Sequence, residues 1–239
     1  MIPMARYALI LAGGDGTRAG GGVPKQFREL LGIPMLWWAV RSFHESDPST
    51  NIIIVMHPGF FDDWDIMYRL LPEADRDIKV TVVCGGRDRI ESTANGLMAV
   101  DGDESLVAVH DAARPVLSPE LVSRLWRTAE IHHAAIPCVP EVNSLRRKMP
   151  AETEGFDTVP VDRAEFMAVQ TPQVFRKSVL DDAFGKMIAE GRKPLFTDDA
   201  SIVQSAGFPV FICDGDPDNI KVTTPSDFAI AEALLKMHR

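Results

Sequence analysis

The 239-residue sequence predicts an α/β fold, with a mostly parallel sheet covered by helices on both faces. Three observations predict it. Four times in the first 132 residues, a short apolar run rich in Val, Ile and Leu is followed by a segment whose apolar residues recur at helical spacing. The loops after three of those runs carry Asp and Arg, two of them with Gly as well, placed where ligands of such sheets meet the carboxyl ends of the strands. A 46% hydrophobic content is enough for a generous core.

In chain order, the expected strand at 7–11 precedes a helix at 35–43, and the Ile-rich strand at 51–56 precedes a helix at 61–71. A strand at 80–84 precedes a helix at 90–100, and a strand at 106–110 precedes a helix at 120–132. Residues 135–140 read as a further strand. From 141 to 163 the pattern changes to polar, turn-rich sequence without apolar periodicity. A stretch that long without its own core is expected to pack on something else, here as an arm protruding from the single 1–239 domain onto a second copy of the chain. Thereafter come an apolar segment at 166–170, a helix at 177–190, a charged turn at 197–201 running into a helix at 200–206, and a strand at 210–213. A loop and short strand at 218–222 and a closing helix at 225–237 complete the reading. No internal repeat or low-complexity tract is present.

Composition narrows the partners. The net charge of −9 argues against a nucleic-acid surface, so any anion site depends on local clustering of cations. Mean hydropathy is close to zero, and no apolar run approaches the roughly 18 residues of a membrane span, so no membrane partner is expected. The N-terminus has no charged segment followed by a long apolar region. Cys84, Cys138 and Cys213 are widely spaced and odd in number, and read as buried reduced thiols of a cytoplasmic protein. The histidines form no set spaced for zinc; a hard cation held by phosphates stays open.

The most informative segment is the run Leu9–Ala12 followed by Gly13-Gly14-Asp15-Gly16-Thr17-Arg18 and, shortly after, Pro24-Lys25-Gln26. A glycine turn after a buried strand turns backbone N–H groups toward an anion, and Arg18 and Lys25 add two permanent cations. Gly14-Asp15-Gly16-Thr17-Arg18-Ala19 satisfies the dinucleotide spacing, but that motif must open a helix, and Gly20-Gly21-Gly22-Val23-Pro24 would break one. The G-x-x-x-x-G-K-[ST] spacing fails as well. What remains is a polyphosphate site on a long loop with its own Arg and Lys. Gly85-Gly86-Arg87-Asp88 and Asp111-Ala112-Ala113-Arg114-Pro115 are expected at the same sheet edge.

Several of these residues also have plain structural readings. Asp111 can cap the next helix, with Pro115 in its first turn, and Asp198 and Asp199 can cap the helix after Thr197. His110 reads as a packed core histidine, and Trp37, Trp38, Phe60 and Phe61 as core. Lys221 inside an apolar strand requires a partner, and a phosphate would serve; an arginine such as Arg163 in a charged arm is ordinarily exposed.

Together, the segment from Leu11 to Arg18, Pro24-Lys25-Gln26, Val109-His110-Asp111-Ala112-Ala113-Arg114-Pro115, Gln170-Thr171-Pro172-Gln173, Thr197-Asp198-Asp199-Ala200-Ser201 and Asp218-Asn219-Ile220-Lys221-Val222-Thr223 span nearly the whole chain. In this order they resemble the 2-C-methyl-D-erythritol 4-phosphate cytidylyltransferases of the non-mevalonate isoprenoid pathway. The resemblance implies a Rossmann-like nucleotidyltransferase fold with a dimerisation arm, and attack of a polyol phosphate on the α-phosphorus of CTP with magnesium present. It implies that Arg18 and Lys25 stabilise the pentavalent phosphorus, and that Arg163 and Lys221 position the incoming phosphate. Ala12, Gly13, Gly14, Gly86 and Ser92 fall on the CTP side; Asp111, Arg114, Ser144 and Thr171 fall on the sugar-phosphate side. Read from the residues themselves, beside the capping roles given above, Thr197 is a candidate substrate contact and Asp111 a candidate substrate or magnesium ligand. Ser144 and Asn143 depart from the Thr and Asp usual in that family. Another polyol phosphate such as ribitol 5-phosphate is the alternative substrate, and a non-catalytic nucleotide-binding protein is the alternative class.

Overall fold

The computed structural model describes residues 4–14, 24–149, 157–191 and 196–238. The first strand, β1 (Arg6–Ala12), leads into a hairpin of β2 (Glu29–Leu30) and β3 (Ile33–Pro34) and then helix α1 (Met35–Ser46). Leu31 and Gly32 join the hairpin with φ of 54° and 76°, the left-handed pair that a two-residue turn requires. Next come β4 (Asn51–Met56), α2 (Phe61–Leu70), α3 (Glu73–Arg76), β5 (Val80–Cys84), α4 (Arg89–Leu97), β6 (Leu106–Asp111), α5 (Pro119–His132) and β7 (Ala134–Pro140). An antiparallel hairpin of β8 (Arg146–Met149) and β9 (Asp157–Pro160) follows, then β10 (Met167–Val169), β11 (Gln173–Arg176), α6 (Lys177–Ala189), α7 (Asp199–Ser205), β12 (Phe211–Asp214) and α8 (Pro225–Met237).

The main sheet runs in the order β10-β7-β11-β6-β1-β4-β5, with β12 also paired to β7. The pairs β6-β1, β1-β4 and β4-β5 are parallel, as strand-helix alternation predicts, because each helix returns the chain to start the next strand in the same direction. Pleating then divides each central strand between two cores. Ala8, Ile10 and Ala12 of β1 face one cluster with Trp37 of α1, Leu121 and Trp126 of α5 and Phe228 of α8. Leu9 faces the other cluster, with Ile90 and Leu97 of α4, Leu180 and Phe184 of α6, and Ile202 of α7. Trp37 has no exposed surface, and truncating it to Ala would cost about 3–5 kcal/mol.

Four sequence expectations need correction. β11 was not anticipated; it runs antiparallel between β6 and β7 and interrupts the parallel order. The helix after Asp111 starts only at Pro119, and its cap is Ser118, whose hydroxyl accepts from Leu121 N, so Asp111 caps nothing. No strand forms at 218–222; a single bond from Val222 N to Ala113 O, 2.8 Å, ties that loop to the sheet edge. Cys84 is exposed because it ends the edge strand β5, whereas Cys138 and Cys213 are buried. Phe60 and Phe61 are partly buried against the core that takes in Trp37 and Trp38.

Candidate active site

The carboxyl ends of β1, β5 and β6 open into one cleft of about 370 Å³, lined by residues 11–14, Lys25, Gln26, Met35, residues 86–89, Ser92, residues 111–113 and Lys221. The three loops expected at one edge therefore meet. A larger groove of about 510 Å³ lies elsewhere, between α1, the 115–120 segment and the end of α8. Its basic side chains are already engaged, Arg41 by Asp75 at 2.6 Å and His238 by Asp218 at 2.9 Å.

The wall from β5 to α4 is built on close backbone approach. A Cβ on Gly86 would lie 2.4 Å from Glu91 Cβ and 2.8 Å from the Glu91 carbonyl carbon, so only glycine lets this loop rest on the first turn of α4. Asp88 caps that helix by accepting from Glu91 N at 2.8 Å. Ser92 Oγ accepts from Gly86 N at 3.0 Å and donates to Asp88 O at 2.8 Å, which fixes the loop from inside. The added methyl of an alanine at 13 would stand 3.4 Å from the same Ser92 Oγ.

Asp111 ends β6 and holds the electrostatic centre of the cleft. Its Oδ2 accepts from Lys221 Nζ at 2.7 Å, and Arg89 Nε stands 3.4 Å from its Oδ1. Burial alone would raise the Asp111 carboxyl, but Arg89 and Lys221 outweigh it and hold the group well below the usual carboxylate range. Arg89 also reaches Asp199, fully buried in the first turn of α7, at 2.8 Å. Burial pushes the Asp199 carboxyl up against the pull of that guanidinium. The result is an alternating chain of charges from Asp199 through Arg89 and Asp111 to Lys221, leaving the lysine at the cleft surface with 45% of its side chain exposed.

A second, buried network sets the 218–222 loop against the end of β6. Asn219 Nδ2 donates to Thr171 O at 2.8 Å, and Asn219 O accepts from Arg114 Nη1 at 2.7 Å. Gln170 Nε2 donates to Asp216 O at 2.7 Å while its Oε1 accepts from Asp216 N at 3.1 Å. Thr171 Oγ1 accepts from Asp111 N at 3.1 Å and lies 3.1 Å from His110 Nδ1, while His110 Nε2 lies 3.1 Å from Arg114 O. A neutral imidazole protonated at Nε2 satisfies both its contacts, and burial pushes that ring down to about 4. His110 is thus a packed histidine beneath the cleft. Lys25 Nζ donates to Val222 O at 3.2 Å and so spans from the glycine-loop side to the Lys221 side.

The sequence-predicted residues distribute unevenly. Ala12, Gly13, Gly14, Lys25, Gly86, Ser92, Asp111 and Lys221 line the cleft. Arg114 and Thr171 lie behind it, holding the Asn219 and Asp111 backbone. Thr197 is exposed beside Asp198, whose side chain caps α7 through Ser201 N. Ser144 and Arg163 are exposed beyond the sheet, and Arg163 Nη1 donates to Val142 O at 2.5 Å. Arg18 lies outside the described residues. Arg89 and Asp199 were missed as a pair. Among the described residues no three His, Cys, Asp or Glu side chains converge, so this part of the chain presents no ready metal cage. A magnesium ion carried by a triphosphate fits the donor set, since such an ion takes mostly phosphate and water oxygens and needs only one or two carboxylates.

A glycine turn, a lysine and an Asp–Lys ion pair gathered at the carboxyl ends of the parallel strands define a protein of the nucleotidyltransferase class. Residues 7–237 match the family described as IspD, 2-C-methyl-D-erythritol 4-phosphate cytidylyltransferase. The chain belongs to that family. It is 38% identical over 232 residues to the 2-C-methyl-D-erythritol 4-phosphate cytidylyltransferase of Bacteroides fragilis, covering 97% of this chain and 100% of the relative. Identity to the Symbiobacterium thermophilum protein of the same name is 39%, covering 95% and 92%. Among solved structures, the cytidylyltransferase of Thermus thermophilus superposes with a TM-score of 0.73 at 30% identity, covering 98% and 100% of the two chains. That of Francisella tularensis gives 0.78 at 25% identity, covering 96% and 99%.

Proposed function

We propose that this chain transfers a cytidylyl group from CTP to 2-C-methyl-D-erythritol 4-phosphate, releasing pyrophosphate. Family membership over residues 7–237 supports the reaction, and the observation that carries the site is the convergence of Lys25, the glycine loop and Lys221 on one cleft. A phosphate oxygen of the polyol forms a bond to the α-phosphorus of CTP, and the bond from that phosphorus to the β-phosphate bridging oxygen breaks. The nucleophile is already an anion, so no base is needed, and His110, kept neutral by burial, takes no proton from it.

Such a step asks the protein for position and for positive charge where negative charge grows. Lys25, with Arg18, is assigned to the α-phosphorus. The glycine loop, Gly86 and Ser92 are assigned to the nucleotide, where a tight backbone wall suits a pyrimidine better than a purine. Lys221 is assigned to the incoming phosphate. Its Asp111 contact supports this, since it holds the ammonium at the cleft mouth while leaving nearly half of the side chain open. Asp111 would hold magnesium that arrives with CTP; bound there, the ion would neutralise phosphate charge.

Ser144 and Arg163 are assigned to the site of a second copy, which makes the working unit a two-fold dimer. Exposure of every residue of β8 and β9 supports this, as do the exposed Phe166, Met167 and Val169 alongside. The cytoplasm is assigned as the compartment, supported by three free cysteines.

The test is incubation with CTP, magnesium and 2-C-methyl-D-erythritol 4-phosphate, reading pyrophosphate and the mass of the cytidine diphosphate product, with ribitol 5-phosphate in parallel. Turnover of the methylerythritol substrate is expected. A protein that uses ribitol 5-phosphate better, or that binds CTP without releasing pyrophosphate, would refute the assignment.

A further inference from the structure

Gln26 follows Lys25 in one turn of 3-10 helix (Lys25–Phe27) and borders the same cleft, yet it is only 3% exposed. A buried carboxamide must find partners for its polar atoms. Its Nε2 donates to Ala12 O at 3.1 Å and to Gly14 O at 3.3 Å. Ala12 ends β1 and Gly14 lies just beyond it, so the two acceptors stand one on each side of Gly13. The turn itself is held, because Phe27 N donates to Pro24 O at 2.9 Å and the Phe27 ring packs in the core.

The chemistry of an anion cradle gives this contact a consequence. A peptide carbonyl presents the negative end of its dipole, which repels phosphate, whereas N–H groups attract it. Committing the Ala12 and Gly14 oxygens to one amide points both at Gln26 and neutralises them toward the cleft. It also sets the spacing between the loop and Lys25, because Lys25 and Gln26 are neighbours on one fixed turn.

We propose that Gln26 is a positioning residue for the nucleotide half of the site: its buried amide clamps the Ala12 and Gly14 carbonyls, so that the Gly13-Gly14 backbone and Lys25 meet the triphosphate in one preset arrangement. This rests on the cytidylyl-transfer reading. Other side chains fail on identifiable grounds. Asn is one methylene too short to span both acceptors from the same backbone. Met matches the length without a donor and leaves two carbonyls bare. Glu, ionised, adds lone pairs and negative charge against two oxygens and beside a polyanion.

The test compares wild type, Gln26→Met and Gln26→Glu for kcat and for the KM of CTP and of methylerythritol phosphate, alongside circular dichroism and thermal melting. For Gln26→Met the KM for CTP is expected to rise about tenfold or more with a fall in kcat, while the KM for the polyol stays within about twofold of wild type. Gln26→Glu is expected to be worse at pH 8.5 and to recover, relative to wild type, as pH falls to 5.5. A buried carboxyl facing two carbonyls is stabilised in its protonated form, and that form donates one hydrogen. The Met variant has nothing to titrate, so its ratio to wild type stays flat.

A residue that only packs would lower the melting temperature and leave the KM for CTP within about twofold, with no pH recovery in the Glu variant. That result overturns the proposal, as does failure of both variants to fold. Absence of pyrophosphate release by the wild type would instead refute the reaction assignment, and it is read in a separate arm.

Discussion

The cleft and the arm are built on opposite principles. In and beneath the cleft the polar side chains are committed to partners brought from distant parts of the chain: Asp111 to Lys221 and Arg89, Asn219 to Thr171 and Arg114, Gln26 to the Ala12 and Gly14 carbonyls. In the arm the hairpin strands are exposed throughout, and the bonds that hold it are local, such as Arg146 Nε to Thr158 Oγ1 at 2.7 Å. The first region has its geometry fixed by its own chain. The second is held by its own strand pairing and by short-range bonds, and its side chains are left exposed.

The sharpest way to break that contrast is to remove charge from the cleft. Lys25→Ala, and equally Arg18→Ala, is expected to lower kcat by about 10²–10³-fold with a smaller change in the KM for CTP, because charge on the α-phosphorus grows most in the transition state. Steady-state kinetics at saturating CTP read it. A variant with near-normal kcat and weak CTP binding would move the cation from the reacting phosphorus to ground-state binding.

The next effect, on stability, lies directly beneath the cleft. His110 is neutral in the folded chain down to about pH 4, whereas the unfolded ring takes a proton near pH 6.5. Above pH 6.5 the two states bind the same number of protons and the group contributes no slope. Below it the unfolded state binds more, so stability falls as pH drops from about 6.5 to 4, by roughly 3 kcal/mol in all. Denaturant unfolding across that range should show the slope in wild type and lose most of it in His110→Gln. An unchanged slope in the variant would assign the acid sensitivity to other groups.

These two regions also differed in how far the sequence revealed them. The central strands were readable because runs such as Ile52–Val55 are β-branched and buried on both faces. The meeting of the segments after β1, β5 and β6 at one cleft was readable because each of those strands ends a step of the strand-helix repeat. Strand β11 escaped because four residues after Pro172, antiparallel to their neighbours, carry no alternation to announce them. Arg89 and Asp199 escaped for a different reason. They are 110 positions apart, and each has a local explanation in a helix first turn; only the fold brings α4 and α7 together to make them a pair. Lys221 was placed in a strand because Ile220 and Val222 flank it, but the turn around Asn219 claims that backbone instead. The arm was legible as a region without a core. The surface of a second copy, proposed above to cover it, would leave no periodicity in this sequence.

The smallest expected effect tests the contrast most directly. If the arm serves the partner's site, Lys25→Ala damages a site from within its own subunit and Arg163→Ala damages the site of the other subunit. Each variant alone is then nearly inactive, since every site lacks one cation. In a mixed dimer the two lesions fall on the same site, and the other site has a native Lys25 from one subunit and a native Arg163 from its partner. Random re-pairing of equal amounts makes half of the dimers mixed, and half of their sites are intact, so activity should return to about one quarter of wild type. Subunit exchange is verified independently with two mass-tagged chains. Recovery near one quarter requires Arg163 to act across the interface. No recovery despite proven exchange would put Arg163 and Lys25 in the same chain's site, and the arm would then have to fold back over its own cleft, contrary to the outward placement of Arg163 against Val142 O.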